Sequence, residues 1–304
     1  SHQFGGCWTD DKLERLRRYL IEYMKIMNGQ NFITSYVDAF AGTGSRLSSS
    51  GTHPHANLPL FSDATDEADS TSYQQGSTRI ALSVEPPFSE YIFVDANPVF
   101  VRELAGLRME FPERADRIRV EHDEANTFLR RWCQTLRWNN RAVVFLDPYG
   151  MAVDWMTVEA LARTQKVDLW ILFPLGVAVN RLLTRNQPPS GPWADSLTRF
   201  FGSNEWVTEF YRHSEQPGLF ESETPLATGV QTCALPISLA KVADFEMIGQ
   251  YFIRRLKSVF ADVAPHYFTL RNSRNSPLYL LCFASSNPRG APTAVRIADY
   301  ILRR

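Results

Sequence analysis

The run Ile33-Thr-Ser-Tyr-Val-Asp38-Ala-Phe-Ala-Gly42-Thr-Gly44 decides how the rest of this chain is interpreted. Its first half is rich in β-branched and aromatic residues, a composition typical of a buried strand. Its second half consists of small residues, which let a ligand approach the backbone where side chains would otherwise block it. By itself, so short a glycine motif is equally compatible with an ordinary loop after a strand. The residues further along the chain have to decide between these interpretations.

The composition is that of a globular protein with a substantial core. The chain has 304 residues, of which 44% are hydrophobic and 21% charged, and its formal net charge is -1. A strongly basic nucleic-acid binder would carry a large positive charge, so any contact with nucleic acid has to come from a local patch. We find neither an apolar run of transmembrane length nor a signal-peptide pattern. We therefore expect a cytoplasmic protein without membrane contact.

Metal and disulfide sites are not indicated by the sequence. The cysteines are Cys7, Cys133, Cys233 and Cys282. Their spacing does not include the C-x-x-C pairs typical of zinc sites. The histidines of His53-Pro-His55 lie in a polar stretch without a third ligand nearby in the sequence. We therefore expect no metal site.

Strand and helix patterns alternate along the chain. An amphipathic helix over residues 9–27 precedes the first strand. Further strands are predicted at 91–95, 118–123, 142–147 and 167–173, each followed by a helical pattern. Two later strands, 266–271 and 278–284, are joined by turn residues and therefore predict an antiparallel pair. This order predicts an α/β fold with five parallel strands, a C-terminal antiparallel strand pair and helices on both faces.

Acidic residues stand at or near the ends of four predicted strands. These residues are Asp38, Asp95, Asp123 and Asp147. In such a sheet ligands bind beyond the carboxyl ends of the strands, and packing does not call for so many acids there. A dinucleotide-binding enzyme is the main alternative, but it would need a third glycine in the motif and an acid about 20 residues further on. The chain has neither, which argues against that alternative.

This layout resembles the Rossmann-like fold of class I S-adenosylmethionine-dependent methyltransferases. The segment 38–44 (DAFAGTG) is similar to the D-x-F-x-G-x-G loop of amino-methyltransferases. The resemblance implies S-adenosylmethionine as the cofactor, with its methionine part in the glycine turn, its ribose on Asp95 and its adenine near Asp123. The implied cofactor-binding residues are Asp38, Phe40, Ala41, Gly42, Gly44, Asp95, Ala96, Asp123 and Glu124.

The candidate catalytic motif is Asp147-Pro148-Tyr149-Gly150. An amine conjugated to a ring is a poor nucleophile because its lone pair is delocalised. The Asp147 carboxylate and the Pro148 carbonyl could accept its N–H bonds and shift that lone pair outward, while Tyr149 stacks on the ring. The motif lacks one proline of the common D-P-P-Y pattern and is closer to the D-P-F-G form of guanine-N2 methyltransferases acting on tRNA. The methylated atom therefore stays open. An ordinary turn at a strand end is the alternative.

Over nearly its whole length, the chain also resembles the three-Cys-motif partner protein family, TcmP. The segments that carry this resemblance are 12–20 (KLERLRRYL), 38–44, 145–150 (FLDPYG) and 270–278 (LRNSRNSPL). The resemblance implies a bacterial protein that is paired with a radical-SAM-like protein bearing three cysteines. The implied function is N-methylation of a nucleobase-type amine, with nucleic acid as a candidate substrate. The alternative is a non-catalytic docking partner that retains the fold.

The chain is predicted to consist of a methyltransferase-like domain with insertions. The segments are an N-terminal helix (1–30), the domain itself (31–183 and 244–304), an inserted loop (45–78) and an inserted subdomain or lid (184–243). Within the last segment, residues 228–238 resemble a translated sequencing-adapter fragment. We therefore base no functional argument on Cys233.

Overall fold

The computed structural model describes residues 7–42, 76–213 and 239–304. Most of the predicted loop 45–78 lies outside these ranges, as do Gly44, the histidine pair and the segment 228–238. The predictions made for those residues stay predictions.

Helices cover both faces of a central sheet. They are α1 (Cys7–Met27), α2 (Ser77–Leu82), α3 (Pro98–Ala105), α4 (Leu107–Glu110), α5 (Ala125–Cys133), α6 (Trp155–Arg163), α7 (Asn180–Leu182), α8 (Pro192–Phe201), α9 (Trp206–Phe210), α10 (Phe245–Lys257) and α11 (Ala291–Leu302). A 3₁₀ helix (Pro112–Arg117) and a π-helical turn (Leu175–Val179) complete the set within the described ranges. None of these described helices has both the length and the hydropathy that a membrane span requires.

The strands lie close to their predicted positions. They are β1 (Ile33–Asp38), β2 (Glu90–Asp95), β3 (Ile118–His122), β4 (Asn140–Leu146), β5 (Val167–Phe173), β6 (Tyr211–His213), β7 (Leu239–Lys241), β8 (Asp262–Val263), β9 (Phe268–Arg271) and β10 (Pro277–Ser285). The short strands β6, β7 and β8 were not predicted, and β9 starts two residues later than expected.

The sheet has the predicted architecture. Among the described residues its order is β3-β2-β1-β4-β5-β10-β8, with β9 also paired to β10. Strands β1 to β5 are parallel, and β10 runs antiparallel to β5 and to β9. This confirms the predicted α/β fold with five parallel strands, a C-terminal antiparallel pair and helices on both faces. The strand order reverses between β1 and β4, because the chain first adds strands on one side of β1 and then on the other. Open sheets of this kind bind ligands at such a switch point.

Alternate side chains of each strand enter two hydrophobic clusters. Val37 and Val144 face the first cluster, which lies under α5, α6, α8, α9 and α10. Tyr36 and Phe145 face the second cluster, under α1 to α4 and α11. Burial on both faces explains why the central strands consist of nearly continuous apolar runs.

The described part of the segment 184–243 belongs to the first cluster. Phe200, Phe201 and Phe210 lie in that cluster with Phe173 of β5 and Phe252 of α10. The rings of Phe173 and Phe252 are stacked with their centroids 4.3 Å apart. The described part of this segment therefore extends the core of the domain, and a function as a lid stays a prediction.

Helix α1 crosses the second face of the sheet from one edge to the other. Its predicted apolar stripe lies in or against the second cluster. Towards its C-terminal half, the Tyr19 hydroxyl donates to the Asp168 carboxylate, 2.7 Å away near the start of β5. Near its N-terminus, the Lys12 ammonium donates to the Asp147 carboxylate beyond the end of β4. Polar contacts thus hold the helix at both edges.

Candidate functional site

The four predicted acidic residues lie along the carboxyl edge of the parallel sheet. Asp38 and Asp95 are the last residues of β1 and β2. Asp123 follows β3, and Asp147 follows β4. The backbone amide of Asp123 donates to the carbonyl of Asp95 at 3.3 Å. The strand register therefore brings the acids into one layer, as the sequence predicted.

Asp95 is held against the glycine turn that follows β1. The backbone amide of Gly42 donates to its Oδ2 at 3.0 Å, and that of Asn97 donates to its Oδ1 at 2.7 Å. The turn also crosses the end of β2, since the amide of Ala41 donates to the carbonyl of Val94 at 3.1 Å. The turn and the carboxylate thus form one rigid unit.

None of the described residues lies close to Gly42 on the side where a side chain would project. Gly42 has φ of +58°, a conformation that favours glycine, and a Cβ built on it would have no described heavy atom within 4 Å. Asp95 is half-buried, and each of its oxygens keeps a lone pair beyond the backbone bond it accepts. The residues therefore fit a ligand with a pair of hydroxyls, such as the ribose of S-adenosylmethionine.

The other predicted cofactor residues adjoin this unit. Phe40 packs against the first cluster, and Ala41 is buried beneath the turn. The Ala96 carbonyl is hydrogen-bonded to the ring of His122 at 3.0 Å, which ties the ends of β2 and β3 together. The backbone around the turn is therefore fixed on both sides.

Asp123 and Glu124 have partners within the protein. Asp123 forms an ion pair with Arg131 at 2.9 Å. The Glu124 carboxylate caps α5 by accepting from the amides of Asn126 and Thr127. Partial burial acts to raise the pKa of Glu124, but these hydrogen bonds outweigh it and lower the pKa. The geometry assigns Glu124 a capping contact, and its predicted contact with adenine stays a prediction.

Asp38 differs from Asp95 because it is fully buried. Its side chain is fully buried and accepts hydrogen bonds from the Ser77 hydroxyl of α2 at 2.5 Å and from the Phe40 amide at 3.4 Å. Burial raises the pKa of Asp38 to about 7; the Ser77 hydrogen bond opposes that rise, and the negative charge of Asp147 adds to it. Direct contact of Asp38 with a cofactor stays a prediction.

The buried Asp38 predicts a stability that decreases with rising pH. Its folded pKa of about 7 lies above the ordinary value of 3.8, so the folded protein binds a proton that the unfolded chain releases. The contribution of this bound proton to the free energy of unfolding is fully present below pH 3.8 and is lost as the pH rises through 7. The total loss is about 4 kcal/mol at most.

Urea unfolding of wild type and Asp38→Asn between about pH 5 and pH 8 tests this prediction. The asparagine cannot titrate, so the stability of the variant relative to wild type should increase with pH. Asp168, whose pKa burial raises to about 6, titrates in both proteins and cancels from the comparison. A difference in unfolding free energy that stays constant across this range would contradict the prediction.

The candidate catalytic motif forms the neighbouring part of the edge. The Asp147 side chain is 32% exposed, and its Oδ2 accepts a hydrogen bond from the Lys12 ammonium. Pro148 is buried, whereas Tyr149 is 63% exposed and presents its ring to solvent. Partial burial, followed by the negative charges of Asp147 and Asp95, raises the pKa of Tyr149. The Tyr149 hydroxyl therefore lies near both Asp147 and Asp95.

Two residues of this site were not identified from the sequence. Lys12 begins one of the segments that carry the family resemblance, but helical periodicity alone does not place it at the sheet edge. Tyr279 lies near the start of β10, just before the residue paired with the last residue of β5. Burial and the negative charges of Asp147 and Tyr149 raise the pKa of Tyr279, whereas Arg181 opposes this. Only the strand order brings these side chains together.

The described residues contain no group of three His, Cys, Asp or Glu side chains placed to hold a metal ion. The acids of the sheet edge are instead engaged with backbone amides, hydroxyls and cations, as described above.

No family model and no curated protein matches this sequence. Protein LPL1258 from Legionella pneumophila is 10% identical over 95% of this chain and 89% of its own, with a TM-score of 0.49. The candidate methyltransferase yhhF from Escherichia coli is 14% identical over 53% of this chain and 71% of its own, with a TM-score of 0.31. An uncharacterised protein from Burkholderia thailandensis is 11% identical over 93% of this chain and 82% of its own, with a TM-score of 0.33. These likenesses are too weak to bear on function, so the fold assignment rests on the observed sheet order.

Proposed function

We propose that this protein is an S-adenosylmethionine-dependent methyltransferase that acts on a nucleobase-type amine. The observation that carries the proposal is the Asp95 carboxylate, which the amides of Gly42 and Asn97 fix beside the glycine turn. The Asp147-Pro-Tyr motif lies at the end of β4, a neighbour of β1 in the sheet. A cofactor site and an amine-activating motif would thus share one edge of the sheet.

On the cofactor side, the chain's residues provide recognition. Asp95 would accept hydrogen bonds from both ribose hydroxyls, while the turn around Gly42 leaves room for the methionine part. Asp123 and Glu124 follow β3, where the adenine would lie. When bound, the cofactor supplies an electrophilic methyl group.

On the substrate side, the residues orient and activate the amine. The Asp147 carboxylate and the Pro148 carbonyl would accept its two N–H bonds, which draws the lone pair out of conjugation with the ring. Tyr149, with its exposed ring, would stack on the base, an interaction of about 1–3 kcal/mol in nucleic-acid recognition. Asp147 would then hold the proton that the amine gives up.

Asp95→Ala is expected to weaken S-adenosylmethionine binding by about 100-fold, because two hydrogen bonds to a charged acceptor are lost. Titration calorimetry on wild type and variant measures this effect. Asp116→Ala is a matched control, since Asp116 is exposed and precedes β3, at the opposite edge of the sheet. Equal affinity of wild type and Asp95→Ala, or no binding by wild type, would overturn the proposed cofactor site.

The Lys12–Asp147 ion pair favours a second candidate function. Because the ammonium occupies one oxygen of Asp147, the same fold could serve as a non-catalytic docking partner. In either case we propose a cytoplasmic bacterial protein that works with a three-Cys-motif radical-SAM-like protein. The docking function would be supported if the Asp147→Ala variant still co-purifies with that protein and the wild-type protein shows no methyl transfer.

A further inference from the structure

Lys12 is a buried lysine at the edge of the candidate site. Its side chain is 7% exposed, although lysines are rarely buried unless they are paired. Its partner is Asp147, which lies 135 residues further along the chain. The family resemblance rests partly on the segments 12–20 and 145–150, and this ion pair is where those segments meet.

Several charged and titratable groups surround this pair. Asp38 of β1 interacts electrostatically with both Asp147 and Lys12. Tyr149 and Tyr279 lie near Asp147, and Arg181 lies near Tyr279. Because burial raises the pKa of Asp38 to about 7, much of it is neutral at physiological pH. Lys12 then chiefly balances the charge of Asp147.

The pair leaves the side chain of Asp147 partly exposed. Lys12 donates to Oδ2, and 32% of the Asp147 side chain remains exposed. Asp147 can therefore accept a hydrogen bond from a substrate while Lys12 holds one of its oxygens. The ammonium fixes the orientation of the carboxylate.

We propose that Lys12 is a positioning residue, which holds the Asp147 carboxylate in the orientation in which Oδ1 receives an N–H bond of the substrate amine. This inference rests on the proposed methyltransferase function. It gives α1 a part in the reaction, because this helix places the Lys12 ammonium beside Asp147 in addition to covering the sheet.

Anchoring of the helix does not depend on this pair. Leu16 and Leu20 of α1 are fully buried, and Tyr19 bonds Asp168 at the other edge. Removing one partner of a fully buried ion pair is destabilising, but Asp147 keeps 32% of its side chain exposed to water, so its charge stays partly solvated in Lys12→Met. Replacing the ammonium by an apolar group of similar length should therefore affect methyl transfer much more than folding.

The test compares methyl-transfer kinetics and cofactor affinity in Lys12→Met and Lys12→Arg. Lys12→Met should lower kcat by about 100-fold, within the range of a lost positioning or proton-transfer contribution. Its S-adenosylmethionine affinity should stay within about threefold of wild type. Lys12→Arg, which keeps the charge, should recover most of the rate. Lys25→Met is the matched control, because Lys25 lies on the same helix with its side chain 58% exposed and paired with Glu22.

A second readout does not depend on turnover. Lys12 lowers the pKa of Asp38, so carbon-13 NMR titration should show a higher Asp38 pKa in Lys12→Met than in wild type. Three results would each overturn the inference. The first is that Lys12→Met has the same kcat as Lys25→Met, and the second is that Lys12→Arg is as slow as Lys12→Met. The third is that the Asp38 titration does not change in Lys12→Met. Absence of methyl transfer in wild type itself would instead overturn the proposed function.

Discussion

Asp147→Ala is expected to lower methyl transfer by about 1,000-fold or more, while S-adenosylmethionine affinity stays within about threefold of wild type. The alanine removes the proposed acceptor of the amine N–H. Asp95 and the glycine turn, which would bind the cofactor, keep their mutual hydrogen bonds. Loss of rate without loss of cofactor binding is the pattern expected when an interaction serves the reaction rather than the binding of the cofactor.

Radiolabelled methyl transfer to a mixed RNA substrate, together with calorimetry, measures both quantities. Asp195→Ala is a suitable control, because Asp195 is an exposed carboxylate on α8. The variant also leaves Lys12 buried without its partner, so its unfolding midpoint has to be measured alongside. A folded Asp147→Ala protein with the wild-type rate would exclude the proposed catalytic motif.

Gly176→Ala is expected to destabilise the protein by about 3 kcal/mol or more. Gly176 lies in the π-helical turn directly after β5. A Cβ at this position would lie 1.9 Å from the carbonyl oxygen of Pro277 and 3.0 Å from its carbonyl carbon. Both atoms belong to the first residue of β10, which is paired with Arg271 of β9. Pro277 cannot move away without disturbing that pairing.

Urea unfolding of Gly176→Ala and Gly290→Ala measures this effect. At Gly290 the nearest atom to an added Cβ is the amide nitrogen of the Asn287 side chain, which can rotate away. The control should therefore lose less than about 1 kcal/mol. Equal stability of the two variants would show that the turn after β5 and the start of β10 can separate. The turn also lies near Tyr279, so any surviving Gly176→Ala protein should have an altered catalytic edge.

Much of the fold follows from local sequence pattern. The apolar runs around Val37, Val94 and Val144 identify strands because their residues are enriched in β-branched and aromatic side chains. The helix pattern between them requires parallel strands, and parallel strands place Asp38, Asp95 and Asp147 at one edge. The parallel arrangement of the strands and the edge at which these acids lie were therefore within reach of the sequence.

The contacts of the individual carboxylates could not be predicted from the sequence. Asp38 and Asp95 occupy equivalent strand ends, yet Asp38 is fully buried against Ser77 whereas Asp95 is half-buried and accepts from the Gly42 amide. Glu124 follows a strand as predicted, but its oxygens cap the next helix. These differences depend on how the helices α2 and α5 approach the edge, which a strand pattern does not specify.

The sequence by itself determined that this chain forms a largely parallel sheet with acids at its carboxyl edge, because those features arise from residue spacing within single elements. Only the tertiary structure brought Lys12 to Asp147 and Tyr279 to Tyr149. Residues far apart in the chain meet only after strand order and helix crossing are set, and both depend on the packing of the whole core. For that reason the tertiary structure alone revealed the ammonium that holds the candidate catalytic carboxylate.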